Sequence, residues 1–256
     1  MNRFSNKVVL VTGGASGIGE SAVRQFVQEG AKVLIADIDS VKGEQLALQL
    51  GKSARFVVCD HSNNDACQFA VETCIKTWGT LDVLFNNAAG TGKSSVENCT
   101  DEHLMFMLNS SLIGPWKMTK AAIAALKSAA IRDPSFGASI VFTGSRASAI
   151  AAPENSPYIV SKHAILGLTR SLAVDLGSSN IRVNAVCPGI VPTERVMQKT
   201  AWGTPEEVLA RFLLRTPLNR ITQAHEIANT VLFLASTHAS AITGQAIFVD
   251  GGMSIH

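Results

Sequence analysis

The feature that most constrains this chain of 256 residues is a regular alternation of short apolar segments with amphipathic segments of ten residues or more. The first apolar segment, KVVLVTGG, is rich in β-branched valine and ends in glycine, which predicts a strand buried on both faces. An amphipathic segment from about Ile18 to Glu29 follows, with apolar residues at helical spacing, and then a second apolar segment, AKVLIAD. Strands that alternate with helices in this way form right-handed βαβ units around a parallel sheet.

The same alternation continues to the end of the chain without a linker or an internal repeat. Five further strands are predicted at ARFVVCD, LDVLFNNAAG, ASIVFTGS, IRVNAVCPG and GQAIFVDGG. Helices are predicted between them, the longest over residues 156–177 and from about Asp101 to Ala130. The sequence therefore predicts one doubly wound α/β domain over residues 1–256, a parallel sheet of seven strands with helices on both faces.

One stretch departs from the alternation, residues 190–222, IVPTERVMQKTAWGTPEEVLARFLLRTPLNRIT. It follows the sixth predicted strand, and loops at the carboxyl ends of parallel strands form the ligand sites of such folds. A long irregular insert at this edge predicts a substrate lid. Alternatively, this segment is a surface loop with no role in ligand binding.

Charge and cysteine content exclude several function classes. The formal net charge is +2 and no dense Lys/Arg cluster is present, so neither a nucleic-acid nor a membrane-surface role is indicated. Five cysteines without a CxxC pair indicate reduced thiols, and the six scattered histidines form no zinc motif.

The start of the chain lacks a signal-peptide pattern, and no apolar run approaches the roughly 18 residues of a spanning helix. We therefore expect a cytoplasmic protein with no metal and no membrane segment.

Residues 12–19, TGGASGIG, join the first predicted strand to the first predicted helix. The glycines leave room for a tight turn and for close approach of a pyrophosphate, and the helix start after them offers free N–H groups and a positive dipole end. The spacing is GxxxGxG rather than the GxGxxG of other dinucleotide folds, and a plain turn is the alternative. The predicted cofactor contacts in this glycine turn are Gly13, Ser16, Gly17, Ile18 and Gly19.

Acidic and amide side chains end the next three predicted strands. Asp37, 18 residues after Gly19, can accept hydrogen bonds from both adenosine ribose hydroxyls and would repel a 2′-phosphate, and the glycine turn contains no Arg or Lys. These features favour NAD over NADP, with a helix cap as the alternative for Asp37. Asp60 ends the third strand, where it could meet the adenine amino group. Asn86 and Asn87 end the fourth, and for Asn87 cofactor binding and a tie between strands are equally supported.

The only tyrosine in the chain, Tyr158, lies four positions before Lys162 in the stretch SPYIVSK. Residues four apart share one face of a helix. A free phenol has a pKa of about 10 and is a poor base at neutral pH, whereas a nearby ammonium lowers that pKa toward the working range of a general acid/base. Ser145, thirteen residues before Tyr158 at the end of the fifth predicted strand, can donate a hydrogen bond to a carbonyl oxygen. The alternative is a core tyrosine near a capping serine.

Five motifs, TGGASGIG, NNA, the serine of FTGS, YIVSK and PGIVPT, occur in the order typical of one family. Over essentially its whole length the chain resembles the short-chain dehydrogenase/reductase family. The resemblance implies a Rossmann-like sheet in the strand order 3-2-1-4-5-6-7, a nicotinamide cofactor and a homotetramer. One departure is visible, because residues 86–89 read NNAA where the family has NNAG. It concerns the backbone beside the adenine ribose and not the reacting groups.

The same resemblance implies roles for individual residues. Ser145, Tyr158 and Lys162 match the catalytic serine, tyrosine and lysine, and the last two are also expected to contact the cofactor. Asn109 matches a fourth catalytic residue, which holds a water near the lysine for proton relay. The remaining matches lie at the end of the sixth strand and after it. Pro188 and Gly189 match a turn beside the nicotinamide. Val191 and Thr193 match the residues that bind its carboxamide, the first through its backbone and the second through its hydroxyl.

The predicted reaction is hydride transfer between a secondary alcohol and NAD, giving a ketone. Because NAD pools in cells are usually oxidised, oxidation of the alcohol is the favoured direction. A ketone or 3-oxoacyl reductase that uses NAD(P)H is one alternative. A catalytically silent nucleotide sensor is another, but a sensor needs neither Tyr158 nor Lys162, and both are present.

The substrate is less well determined, since fold and cofactor do not name one. Four polar residues near the catalytic pair or in the lid are the predicted substrate contacts and favour a polyol, a sugar or another polar hydroxy compound: Arg146, Glu154, Asn155 and Arg195. Lys199 adds a further polar group to the lid. Apolar lid residues, Trp202, Phe212 and Leu213, equally allow an apolar pocket or simple lid packing. The two long helices carry apolar residues on more than one face, which also favours a homotetramer.

Overall fold

The computed structural model describes residues 2–194, 196–197 and 203–255 and contains a sheet of seven parallel strands. The strands are β1 (Val8–Thr12), β2 (Lys32–Asp37), β3 (Ala54–Val58), β4 (Val83–Asn86), β5 (Ala138–Thr143), β6 (Ile181–Pro188) and β7 (Ala246–Val249). Their order in the sheet is β3-β2-β1-β4-β5-β6-β7, and each pair of neighbours is parallel. The predicted fold class and strand order are confirmed.

Helices cover both faces of this sheet. They are α1 (Gly17–Gln28), α2 (Ser40–Leu50), α3 (Asn64–Trp78), α4 (Asp101–Leu108), α5 (Gly114–Arg132), α6 (Ser156–Gly177), α7 (Pro205–Leu213) and α8 (Ala224–Ala235). One apolar core contains residues of α3, α5 and α6, and a second contains residues of α1, α2 and α8. The two cores lie on opposite faces of the sheet.

Alternate residues along each central strand explain this division. In β1, Val8 and Leu10 belong to the first core, whereas Val9 and Val11 belong to the second. Every residue of β1 is buried. A strand that buries both faces must be apolar throughout, which is why KVVLV reads as a continuous apolar run.

The segment between α4 and α5 corrects the prediction of one continuous helix from Asp101 to Ala130. Residues Asn109–Ile113 form a π-helical turn, in which the N–H of Gly114 bonds the carbonyl of Asn109 five residues back. Pro115 has no N–H to bond the carbonyl of Ser111 four residues back, so the normal α-helical pattern cannot continue there. The turn places Asn109 at a local widening of the helix.

The prediction that residues 190–222, the predicted lid, are irregular is also corrected, because this segment contains α7. Thr204 caps this helix: its Oγ1 accepts from the N–H of Glu207, and the Glu207 carboxylate accepts from the N–H of Thr204. Pro205 occupies the first helical position. Threonine, proline and a glutamate three residues after the threonine form a capping box, a start signal that the sequence analysis missed. The helix packs through Val208 and Phe212.

None of the described helices combines the length and the mean hydropathy that a helix needs to cross a membrane.

Candidate active site

The carboxyl ends of parallel strands meet at one edge of the sheet, and this edge collects most of the predicted site residues. Thr12, Asp37, Asn86, Thr143 and Pro188 are the last residues of β1, β2, β4, β5 and β6. The loops and helix starts that follow these strands form the candidate site.

The glycine turn is shaped by backbone contacts at this edge. Gly13 has a φ of +61° and donates from its N–H to the carbonyl of Ala36 at 2.8 Å. A Cβ on Gly19 would lie 1.9 Å from the Gly13 carbonyl oxygen, so no larger residue fits there without backbone movement. Ser16, which precedes α1, makes no side-chain capping hydrogen bond to the described first turn. The N–H groups at the start of α1 are therefore left for an anionic ligand.

Asp37 is held beside this turn by its own carboxylate. Oδ2 accepts from the N–H of Ala15 at 2.9 Å, and Oδ1 accepts from the N–H of Asp39 at 3.1 Å. A carboxylate offers about four acceptor positions, so each oxygen keeps room for one more donor. The helix-cap alternative belongs to Asp39, whose side chain accepts from the N–H of Lys42 in α2.

Asn86 and Asn87 take different roles in the structure. Asn86 is buried, and its Nδ2 donates to Thr119 Oγ1 at 3.0 Å. Asn87 donates from Nδ2 to the carbonyl of Gly13 at 3.0 Å and accepts from Thr143 Oγ1 at 3.2 Å. It thereby ties the glycine turn after β1 to β5, one of the two roles predicted for it.

Asp60 lies exposed just beyond β3. Its Oδ1 accepts from the N–H of Ser62 at 2.8 Å, and this hydrogen bond lowers the pKa of the carboxyl group. The carboxylate is thus ionised at neutral pH and open to solvent at the predicted adenine position.

Tyr158 and Lys162 lie in the first turns of α6, one helical turn apart. Lys162 is 2% exposed, and its Nζ donates to the carbonyl of Thr143 in β5 at 2.9 Å. The same Nζ lies 5.8 Å from the centre of the Tyr158 ring, which is partly exposed. The carbonyl at the end of β5 therefore holds the ammonium in place, while the phenol remains accessible to solvent.

Ser145 follows β5 and begins a short 3-10 turn, Arg146–Ser148. Its Oγ accepts from the N–H of Ala147 at 3.1 Å, and its own N–H donates to Ser148 Oγ at 3.1 Å. Because the Ser145 oxygen serves as an acceptor in the turn, its hydroxyl proton stays available for a ligand.

The turn after β6 reaches back to the glycine turn. Gly189 donates to the carbonyl of Val249 at 3.2 Å, and Val191 is 5% exposed, with its side chain in the core. Thr193 lies next to Gly17, because a Cβ on that glycine would be 3.0 Å from the threonine Cγ2. The Val191 carbonyl accepts from the N–H of Thr193 at 2.7 Å, so the N–H of Val191 and the hydroxyl of Thr193 are the groups that remain to contact a ligand.

Comparisons with known proteins agree with this architecture. A family model described as enoyl-(acyl carrier protein) reductase matches residues 13–254. An uncharacterised oxidoreductase of Thermotoga maritima is 40% identical, with 97% of this chain and 98% of the relative covered. A mitochondrial borneol dehydrogenase of Lavandula x intermedia is 37% identical, with 100% and 93% covered.

A solved structure gives the same result in three dimensions. It is a 3-ketoacyl-(acyl-carrier-protein) reductase from Brucella melitensis complexed with NADH, with a TM-score of 0.89 and 29% identity, covering 98% of this chain and 99% of that one.

The chain is a short-chain dehydrogenase/reductase. As a member of this family it is an oxidoreductase. The tyrosine, lysine and serine that match the family motif lie after β5, at the edge of the sheet at which the glycine turn follows β1.

The predicted substrate residues of this dehydrogenase/reductase are more dispersed. Glu154 is exposed and pairs with Lys93 Nζ at 2.5 Å, while Asn155 is 7% exposed and forms a parallel bridge with Ser94. These contacts connect the loop before α6 to the loop after β4. The Asn155 Oδ1 has no hydrogen-bond partner among the described residues. Three predicted lid residues, Arg195, Lys199 and Trp202, lie outside the described part of the chain.

Arg146 and Phe212 are brought together by the lid. The guanidinium carbon of Arg146 lies 5.0 Å from the centre of the Phe212 ring, and Phe212 is 9% exposed. Phe212 packs with Val208 and Met253, so lid packing accounts for it. Both residues are candidate site residues in the sequence, but their contact depends on α7, a helix that the sequence pattern did not predict.

Proposed function

We propose that this short-chain dehydrogenase/reductase oxidises a secondary alcohol to a ketone with NAD. The observation that carries the proposal is the buried Lys162 ammonium, held at 2.9 Å by the Thr143 carbonyl one helical turn from the partly exposed Tyr158. A buried cation beside a phenol stabilises the phenolate form, and a phenolate is the base that alcohol oxidation needs.

Each side chain then has one role. Tyr158 takes the proton of the substrate hydroxyl, and Lys162 stabilises the resulting charge on the phenol side chain. Ser145 uses its available hydroxyl proton to hold the substrate oxygen, which fixes the reacting carbon in position. Asn109, at the π-helical turn, is assigned a water that passes the proton onward to solvent. Bound NAD supplies the acceptor for the hydride.

The residues at the edge of the sheet fit a dinucleotide. The turn at Gly13 and Gly19 leaves no space for a Cβ, and the uncapped start of α1 offers N–H groups to a pyrophosphate. Asp37 keeps acceptor positions for ribose hydroxyls and repels a 2′-phosphate. The Brucella melitensis reductase is complexed with NADH, which supports the same choice of cofactor. We assign the further contacts to Asp60, Asn87, Val191 and Thr193.

Reduction of a 3-oxoacyl group is the second candidate, because the Brucella melitensis neighbour is a 3-ketoacyl-(acyl-carrier-protein) reductase. The two candidates differ in cofactor and in carrier. The first difference is tested by titrating the protein with NAD and with NADP while its intrinsic fluorescence is followed. Tighter binding of NAD is expected. Assaying a 3-oxoacyl thioester with NADPH tests the second, with slower turnover expected than for secondary alcohols with NAD.

The decisive experiment combines turnover with cofactor binding. A panel of secondary alcohols, sugars and steroids is screened with NAD by absorbance of the reduced cofactor, and the best substrate is assayed with Tyr158→Phe. We expect kcat to fall about 10²- to 10⁴-fold while the Kd for NAD stays unchanged. Unchanged turnover in Tyr158→Phe would refute the assignment of the base. Absence of turnover with every alcohol would refute the proposed activity.

We also propose a cytoplasmic homotetramer in which α4, α5 and α6 contact partner subunits. Large apolar side chains are exposed on these helices: Phe106 and Trp116 are each 53% exposed, and Val174 is 83% exposed. An assembly that packs these helices against partner subunits would cover such side chains. Light scattering at micromolar protein tests this, and a monomer would contradict it.

A further inference from the structure

Arg146 joins the turn that carries the catalytic serine to the lid helix. It directly follows Ser145, and its guanidinium stacks on Phe212 of α7 at 5.0 Å. A cation over an aromatic ring is attracted by the electrostatics of the ring face and needs no N–H···O hydrogen bond. The contact therefore holds the guanidinium near α7 while its five N–H donors can still serve oxygen acceptors.

In the part of the chain that the structure describes, no carboxylate lies within salt-bridge distance of Arg146. Asp250 is close enough for its charge to act on Arg146, but its oxygens, which accept from the N–H groups of Gly252 and Ser254 at 2.9 and 2.8 Å, lie beyond salt-bridge distance of the guanidinium. Half-buried cations normally have a counter-ion. Arg146 lies next to the proposed reacting groups, and no carboxylate of the described residues pairs with it.

A second cation lies at the rim of the same cleft. Arg215 follows α7, and its N–H bonds the carbonyl of Phe212 at 3.0 Å, three residues back. Arg215 is close enough to Arg146 for its charge to act on the guanidinium. Among the described residues it too lacks a carboxylate partner. Burial lowers the pKa of Arg146 most, and the charge of Arg215 lowers it further, whereas the charges of Tyr158 and Asp250 act in the opposite direction and do not cancel the shift.

We propose that Arg146 binds a carboxylate group of the substrate, with Arg215 at the rim, so that the substrate class is a hydroxy acid with a secondary hydroxyl. This inference rests on the proposed alcohol oxidation. A planar carboxylate accepts two parallel N–H···O bonds from one guanidinium, a geometry that a lysine ammonium cannot provide. The carboxylate takes no part in the chemistry: the carbinol loses its hydroxyl proton to Tyr158 and its hydride to NAD, and the product is an oxo acid.

The first test needs only the wild-type enzyme. The substrates are hydroxy acids with the hydroxyl on carbon three, four or five, each as both enantiomers. They are assayed with NAD, and their methyl esters are assayed in parallel. We expect the best acid to have a kcat/KM roughly 10- to 100-fold above that of its ester, the range of a hydrogen bond to a charged group. The monophosphate of a neutral diol serves as a third substrate and is expected to be used less well than the acid.

The second test removes the guanidinium. Arg146→Gln is expected to raise KM for the acid roughly 10- to 100-fold and to change KM for the ester little. Arg146→Lys keeps the charge but lacks the planar guanidinium. Its KM for the acid is therefore expected to lie between those of wild type and Arg146→Gln. Arg55→Gln, which removes one exposed arginine from the distant strand β3, is the matched control and is expected to leave both KM values unchanged. Melting temperatures of all variants are measured in parallel.

The outcomes separate this inference from the proposed function. If wild-type enzyme oxidises esters and neutral alcohols as well as acids, the carboxylate assignment is overturned and alcohol oxidation stands. Preference for the phosphate also overturns it. If Arg146→Gln lowers activity on acid and ester equally, Arg146 acts through the lid and the assignment is wrong. If no acid, ester or alcohol is oxidised, the proposed function itself fails.

Discussion

The glycine turn and the lid line the same edge of the sheet but are held in different ways. Backbone contacts shape the glycine turn, through the hydrogen bond from Gly13 to Ala36 and the close approach of Gly19 to Gly13, and the side chains of Asn87 and Asp37 hold it in place. In the described part of the predicted lid, contacts between side chains predominate. Glu194 pairs with Lys42 near its start, Phe212 stacks on Arg146 in its middle, and Arg220 pairs with Glu226 near its end.

This difference matches what the two binding functions require. A pyrophosphate is the same in every nucleotide, so a surface made of backbone N–H groups serves it with little dependence on side chains. A substrate must be distinguished from its analogues, and that needs side chains that differ between proteins. We therefore expect changes in the glycine turn to weaken cofactor binding and changes in the predicted lid to alter substrate binding.

The largest expected effect comes from adding one methyl group to the glycine turn. Gly19→Ala places a Cβ against the Gly13 carbonyl oxygen, and the backbone must move to relieve the contact. We expect NAD binding, measured by fluorescence titration, to weaken about 10- to 100-fold. Gly177→Ala, at the end of α6 with nothing within 4 Å of the new Cβ, is the control and should bind NAD normally. Equal affinities in the two variants would contradict the backbone account.

The next effect concerns the choice of cofactor. Asp37→Asn keeps the size of the side chain but removes its charge, so two hydrogen bonds to ribose hydroxyls weaken and the repulsion of a 2′-phosphate disappears. We expect the Kd for NAD to rise about tenfold and the Kd for NADP to fall. Asp65→Asn, an exposed position in α3, is the matched control. An unchanged ratio of the two Kd values would show that Asp37 does not select the cofactor.

A smaller effect is expected where the lid starts. Lys42 Nζ lies 2.5 Å from Glu194 Oε2, and the hydrogen bond from this partner raises the pKa of Lys42. The pair is exposed to solvent, and exposed pairs contribute little. Lys42→Met should change KM for the alcohol by less than about threefold and leave kcat unchanged. A tenfold loss would show that this end of the lid controls the site more tightly than its exposure implies.

The smallest effect is a pH dependence where the lid ends. The Arg220 guanidinium and the N–H of Gln223 lower the pKa of Glu226 to about 2. Since the folded pKa lies below the unfolded value of about 4.3, the stabilisation is complete above that value and is lost as the pH falls toward 2. Glu226→Gln should therefore have a lower Tm than wild type at pH 7, with the difference shrinking on acidification. Glu72→Gln, an exposed control in α3, should show no such trend.

The sequence predicted the sheet well because its signal is local. The apolar runs of β1 and β2 and the glycine turn between β1 and α1 are read from neighbouring residues, and so is the four-residue spacing of Tyr158 and Lys162. The π-helical turn at Asn109 was missed because Pro115 acts on a helix that otherwise has uniform helical spacing. Helix α7 was missed because its capping signal lay inside a stretch that was assigned as irregular.

The amino-acid sequence by itself determined the alternation of strands and helices, the glycine turn and the four-residue spacing of Tyr158 and Lys162, since each follows from residues close together in the chain. Tertiary structure decided the contacts between distant segments. Lys162 is anchored to a carbonyl 19 residues away, and Arg146 meets Phe212 only because α7 folds over the end of β5. These contacts depend on how helices pack across the edge of the sheet, which no local pattern of residues encodes.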